Sequence, residues 1–303
     1  MVSTLPDAAP RNWVDRFAPA PIRPWLRLAR LDRPTGIWLL MLPGWQGIAL
    51  ATQPGHWPDL KLLALFFTGA VLMRSAGCAF NDIVDRDLDA KVARTARRPI
   101  PAGEVSVRGA AIFVAACCAI SFLILISFNW LAVILGGASL LLVVAYPFMK
   151  RITWWPQAWL GLTFNWGALL GFAAAGGFSK RVLPGVLLYA SGLFWTLGYD
   201  TIYAIQDLED DALAGVKSSA RRLGRAAPLA VGGFYAASVV CVLLLYARAP
   251  FGALPLAPFA LQLIWQVSRL QIDDPSRALL LFKSNTLAGA LLFGALTLKA
   301  RFG

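Results

Sequence analysis

Charge is scarce in this chain, and histidine is almost absent. Only 15% of the 303 residues are charged and one is a histidine, while 58% are hydrophobic. A soluble domain carries charge on about a quarter of its residues, so an ordinary soluble globule is excluded. His56 lies in a Pro/Gly loop, and a single imidazole builds neither a His-based metal site nor a catalytic triad. Cys78, Cys117, Cys118 and Cys241 lie in or beside apolar runs without CxxC spacing. They indicate neither a disulfide framework nor a zinc site, and read as small buried hydrophobes. Residues 1–33 contain scattered Pro, Arg and Asp with no apolar core, so they do not read as a cleaved signal peptide. Acids are the scarcer charge, with 16 Asp+Glu against 28 Lys+Arg and a formal net charge of +12. Such a surplus on a soluble face would suggest nucleic acid. Here the bases fall in short segments between long apolar runs, so no nucleic-acid partner is expected.

A helix needs about 20 apolar residues to cross the hydrocarbon core. Runs of that kind lie at 36–53, 60–80, 107–128, 130–149, 157–177, 183–205, 227–247, 252–268 and 284–300. They predict an all-α polytopic membrane protein with about nine transmembrane helices. Backbone groups in lipid must be satisfied internally, and continuous rather than alternating hydrophobicity argues for helices over a barrel. With the N-terminus inside, the segments before 34 and at 82–108, 150–151, 217–225 and 269–283 hold 21 Lys/Arg. The opposite side holds six: Lys61, Lys180, Arg181, Arg248, Lys299 and Arg301. This asymmetry predicts a cytoplasmic N-terminus.

The acids are concentrated. Asp82, Asp85, Asp87 and Asp89 follow span two, and Asp200, Asp207, Glu209, Asp210 and Asp211 end span six, so nine of the 16 lie in two short cytoplasmic segments. Asn81, Asp85 and Asp89 are spaced by four residues, as are Tyr203, Asp207 and Asp211, with an offset of 122 between the sets. On a helix, i and i+4 share one face about 6 Å apart along the axis, so each set presents an oxygen-bearing stripe. Two facing stripes would repel without cations, and hard oxygen donors suit Mg²⁺, which takes one or two carboxylates and completes its shell with water and substrate phosphate. Bases following each stripe suit phosphate oxygens. Solvated mixed-charge loops are the simpler explanation for one such cluster; the matched spacing of two argues against it. By periodicity, Asp82 and Asp87 point away from the stripe and are expected to pair with neighbouring bases.

At these residues the sequence resembles the UbiA superfamily of intramembrane prenyltransferases. Asn81 to Asp89 matches its NDxxDxxxD motif, and Asp207 to Asp211 its DxxxD motif. Leu31-Asp32-Arg33-Pro34-Thr35-Gly36, Arg94 to Gly103, Tyr146 to Arg151 and Asp200 to Ala204 resemble the 4-hydroxybenzoate polyprenyltransferase branch. The resemblance covers roughly residues 28–300. It implies one prenyltransferase domain, 28–303, preceded by a cytoplasmic extension, 1–27, in the cell inner membrane. It further implies nine helices around a central cavity, magnesium ions, and alkylation of 4-hydroxybenzoate beside its hydroxyl by a polyprenyl diphosphate in ubiquinone synthesis.

The roles that follow are expectations. Asp85, Asp89, Asp207 and Asp211 are the magnesium ligands, with Asn81 assisting. Arg94, Arg98 and Lys150 hold diphosphate, with snorkelling or topology as the simpler role for each. Arg33 or Arg151 holds the benzoate carboxylate, and Tyr146 and Tyr203 bond ligand oxygens or shield the cation. Asn165 and Trp166 line the site or simply pack. Another aromatic acceptor within the family, or a membrane transporter, are the alternatives; a transporter should carry its polar groups near midplane rather than at span ends.

Overall fold

The computed structural model describes residues 12–90, 95–208, 215–247 and 250–302. Among them there are helices and no strands. Among the described residues five helical segments are long and apolar enough to cross a membrane: Leu60–Val84, Val107–Leu125, Trp130–Met149, Ser219–Tyr246 and Pro275–Phe302. The protein is therefore all-helical and polytopic. Helices also occupy the other four apolar runs, as Thr35–Ala51, Pro156–Ala174, Leu183–Ala204 and Ala257–Arg269.

Several boundaries differ from those the hydropathy runs predict, each for a local reason. Span two continues to Val84, so Asn81 and Asp82 are helical rather than part of a loop. The Tyr146 to Arg151 segment also lies inside a helix, Trp130–Ile152, which absorbs Pro147. At 252–268 the first half is a 3₁₀ segment, Pro250–Leu256, shaped by two prolines that cannot donate to an α ladder. The last helix begins at Pro275 rather than 284, because Asp274 caps it by accepting from the amide of Arg277. Asn129 and Ser106 cap Trp130–Ile152 and Val107–Leu125 in the same way.

The chain divides into two compact units, residues 1–38 with 67–127, and 39–66 with 128–303. In the first, Leu28, Ala79, Ile100, Val105 and Ala110 form the core. Residues 13–31 pack into this unit: Arg27 pairs with Asp15 at 2.7 Å, and the Trp13 indole donates to the Leu31 carbonyl at 2.7 Å. Apolar side chains elsewhere face outward, such as Ile112 at 62% and Phe122 at 57% exposure, which suits a helix whose solvent is lipid.

In the second unit, Leu183–Ala204 is the central helix, packing against Pro156–Ala174, Ala227–Leu243 and Pro275–Phe302. Its core contains Trp195, Tyr199, Tyr235, Phe259 and Leu281. The amides around Asn285 satisfy one another, as lipid favours, whereas the buried Asn165 Oδ1 has no partner among the described residues. Asn285 Oδ1 accepts from Trp195 Nε1 at 2.8 Å, and its Nδ2 donates to Gln266 Oε1 at 3.0 Å, which also accepts from Tyr235 Oη at 2.7 Å.

Candidate active site

The first motif is assembled within the first unit. The amide of Asp85 donates to the Asn81 carbonyl at 2.9 Å and that of Asp89 to the Asp85 carbonyl at 2.8 Å. These α-type bonds continue the helical register past Val84, so residues 81, 85 and 89 share one face as their spacing predicts. Asp82, Asp85 and Asp89 are 0%, 1% and 6% exposed. Three carboxylates so buried demand compensation, since an uncompensated buried charge costs several kcal/mol.

Arginines supply part of it. Arg30 Nη2 donates to both oxygens of Asp82, at 2.7 and 2.9 Å. Arg98 Nη1 lies 3.2 Å from Asp82 Oδ1 and 2.7 Å from Asp89 Oδ2. Asp82 therefore pairs with bases, and Asp87 lies beside Arg86 at 3.4 Å on the exposed side. Arg98 reaches the site because its turn is fixed locally. Its amide donates to the Thr95 carbonyl, its carbonyl accepts from Ala102, and Ile100 and Val105 are buried against Ala79. The Thr95 hydroxyl donates to the Asp89 carbonyl at 2.9 Å, tying the turn to the end of the motif.

Burial raises the proton affinity of Asp89; the Arg98 charge opposes this, and the neighbouring Asp82 charge adds to it. Asp32, 4% exposed, is likewise raised by burial against the opposing charges of Arg33 and Arg30. Arg33 lies 3.3 Å from Asp32, so that candidate carboxylate anchor stands beside a carboxylate of its own. Among the described residues no three His, Cys, Asp or Glu side chains converge as a self-sufficient metal cage. Magnesium needs no such cage, since it takes one or two carboxylates and leaves the rest of its shell to water and phosphate.

The second motif belongs to the second unit. Tyr203 lies in Leu183–Ala204, but Asp207 ends a 3₁₀ turn, Ile205–Asp207. The α register of the second stripe therefore stops at Ala204, in the tighter turn common at helix ends. Tyr203 packs against Phe282 with ring centres 4.5 Å apart and the planes tilted by 48°. The return strand of chain is anchored where Thr201 and Ser219 hydroxyls meet at 2.7 Å and the Ser219 amide donates to Gln157 Oε1 at 3.0 Å. Tyr146 is half-buried against the core and Arg151 is exposed near the helix end. Asp211 and Arg94 lie outside the described residues, as does the side chain of Lys150.

Asn165 and Trp166 pack. Asn165 donates to the Gly161 carbonyl and to Thr196 Oγ1, and Trp166 to the Leu135 carbonyl. Motif reading missed Arg30, and it gave Asp32 no role beyond its place in the Leu31 to Gly36 segment. Arg30 counts there only toward inside-positive charge, and nothing in local spacing links it to a carboxylate 52 residues away.

Residues 40–293 match the UbiA prenyltransferase family. The chain is 47% identical over 282 residues to the mitochondrial 4-hydroxybenzoate polyprenyltransferase of Rattus norvegicus, covering 91% of this chain and 74% of that protein. It is 43% identical over 296 residues to the Arabidopsis thaliana protein of the same name, covering 96% and 72%. Among solved structures it is similar to a UbiA homolog from Aeropyrum pernix K1, with a TM-score of 0.71, 29% identity, and coverage of 85% of this chain and 96% of that one. It shares its fold with a UbiA homolog from Archaeoglobus fulgidus bound to GPP and Mg²⁺, at a TM-score of 0.64, 20% identity, and coverage of 90% and 99%.

Proposed function

Because the chain belongs to the UbiA prenyltransferase family, we propose that it transfers a polyprenyl chain from polyprenyl diphosphate to 4-hydroxybenzoate in ubiquinone synthesis. The observation that carries this is the 47% identity over 282 residues to a relative named for that activity. The bond between the allylic carbon and the diphosphate oxygen breaks, and its electron pair leaves with diphosphate. The allylic carbon bonds to the ring carbon ortho to the hydroxyl, which then loses its proton.

Asp85 and Asp89 of the first motif, with Asn81 assisting, and Asp207 and Asp211 of the second would hold magnesium, which when bound would neutralise charge on the leaving diphosphate. Arg94, Arg98 and Lys150 donate charge-assisted bonds to diphosphate oxygens, concentrating stabilisation where charge develops. Arg33 or Arg151 holds the benzoate carboxylate in a bidentate fork. Tyr146 and Tyr203 face the allylic cation, and apolar helices exclude water that would quench it.

In this reading nine helices span the cell inner membrane as one domain, 28–303, with residues 1–27 as a cytoplasmic extension. The charge asymmetry between its loops supports a cytoplasmic N-terminus. Membranes containing the protein, incubated with Mg²⁺, 4-hydroxybenzoate and polyprenyl diphosphates of several lengths, should yield prenylated 4-hydroxybenzoate by mass. Absence of that product at every length and magnesium concentration overturns the assignment.

A further inference from the structure

Arg30 occupies a backbone position that ordinarily belongs to glycine. The helix Arg23–Leu28 ends with the Leu31 amide donating to the Leu26 carbonyl and the Arg30 amide donating to that of Arg27. This is the Schellman arrangement, whose left-handed residue is most often Gly because a Cβ is strained there. Arg30 has φ +57°, and it is the only non-glycine with positive φ among the described residues. Such strain persists only where surrounding contacts hold it, and the Arg30 side chain makes such a contact. The Arg30 guanidinium, 10% exposed, is the 2.7 Å partner of Asp82, which is fully buried.

Asp82 in turn holds Arg98, and it does so by one nitrogen only. Both contacts of the Arg98 guanidinium, to Asp82 and to Asp89, use Nη1. Its side chain keeps 21% exposure, and among the described residues Nε and Nη2 make no hydrogen bond. A guanidinium fixed at one corner and open along the opposite edge can present two parallel N–H groups to a phosphate oxygen pair without giving up its tether.

We propose that Arg30 and Asp82 are positioning residues for diphosphate, acting through Arg98: the buried pair anchors Arg98 Nη1 so that its Nε and Nη2 edge is pre-organised as an anion fork. Without Arg30, the Asp82 carboxylate would be a second free acceptor and would draw the whole fork of Arg98 onto itself. With Arg30 across both its oxygens, Asp82 spares only one 3.2 Å contact for Arg98. This inference rests on the reading that the site binds diphosphate.

The test is calorimetric binding of inorganic pyrophosphate in the presence of Mg²⁺ to the purified, detergent-solubilised protein, with melting temperature measured alongside. The wild type should bind; failure to bind overturns the diphosphate reading and this inference with it. The paired variant Arg30→Gln/Asp82→Asn keeps a hydrogen-bonded pair of similar size. It should fold, yet bind pyrophosphate about tenfold more weakly, the scale of one charge-assisted bond. Arg98→Gln should weaken binding at least as much, and the triple variant should be no weaker than Arg98→Gln alone, because both changes act on one group. A purely structural role for the pair would instead multiply the two losses, and that result overturns the proposal. So does wild-type affinity in a folded Arg30→Gln/Asp82→Asn protein.

Arg98→Lys decides the matter should the paired variant fail to fold. Lysine can keep the bond to Asp89 but has no second edge, so pyrophosphate binding should fall about as far as in Arg98→Gln while the melting temperature holds. Wild-type affinity in Arg98→Lys overturns the fork.

Discussion

Gly171 packs directly against the backbone of Gly44, so closely that a Cβ on Gly171 would collide with the Gly44 carbonyl oxygen. The same holds for Gly47 against the carbonyl of Ala168, so Thr35–Ala51 and Pro156–Ala174 meet backbone to backbone through small residues. Backbone cannot rotate out of the way as a side chain can. Gly171→Val should therefore destabilise the protein by about 1–3 kcal/mol through overpacking, read as a lower melting temperature in detergent. Gly69, whose Cβ would meet nothing within 4 Å, is the control. Gly69→Ala should leave the melting temperature unchanged or raise it, since alanine favours helix by about 1 kcal/mol. Equal effects at the two positions would refute the close approach.

Asp85→Ala and Asp207→Ala should each abolish magnesium-dependent prenyl transfer while the protein still inserts in membranes. Product formation by mass and membrane fractionation check the two halves separately. Full activity in either variant removes that residue from the metal set.

The proposed orientation is open to chemical labelling. His56 and Ala90 are both exposed and lie at opposite ends of Leu60–Val84. In a background with the native cysteines replaced, Ala90→Cys should react with a membrane-impermeant maleimide only from the cytoplasmic side and His56→Cys only from the other. The reverse pattern would invert the topology.

The N-terminal contact should respond to acid. Burial pushes the Asp15 carboxyl up, but hydrogen bonds from Arg27 and Asn12 and the charges of Arg27 and Arg23 outweigh it, so it is lowered from the ordinary value of 3.8. A lowered folded value means the contact contributes its stability above about pH 4 and loses it as pH falls through the folded value. Amide exchange of residues 12–28 should therefore lose protection on acidification below that range, corrected for intrinsic rates. Asp15→Asn should show the reduced protection at neutral pH already. Matching profiles for the two proteins would rule the carboxylate out as the cause.

The first stripe was legible because its information is local: four-residue spacing in α register places Asn81, Asp85 and Asp89 on one face, and i to i+4 amide bonds carry that register past Val84. The second stripe was legible only to Tyr203, since the shift to a 3₁₀ turn at Ile205–Asp207 leaves the spacing of acids unchanged. Arg30 was hidden for a different reason. Its partner Asp82 is 52 residues away, and a left-handed arginine has no mark in the sequence. The same holds for Gln46, whose side chain donates to the Gly289 carbonyl across 243 residues. An isolated amide in an apolar run has no periodicity to betray its partner.

Asn285 tests that last point energetically. It accepts from Trp195 Nε1 and exchanges two bonds with Gln266, all in the buried core. Asn285→Leu keeps the volume but strands the Trp195 donor, and it takes one partner from each end of the Gln266 amide, which keeps Tyr235 and Gln262. Each stranded polar group costs about 1–3 kcal/mol, so a clear drop in melting temperature is expected although a more apolar residue has been added to a membrane protein. Gln266→Leu alone loses the same two shared bonds, so the double variant should lose less than the two single losses combined. Strict additivity would mean that the two amides do not share their hydrogen bonds. A rise in stability for Asn285→Leu alone would mean that Trp195 and Gln266 find other partners, and the network would then be incidental to the packing of Leu183–Ala204 against Pro275–Phe302.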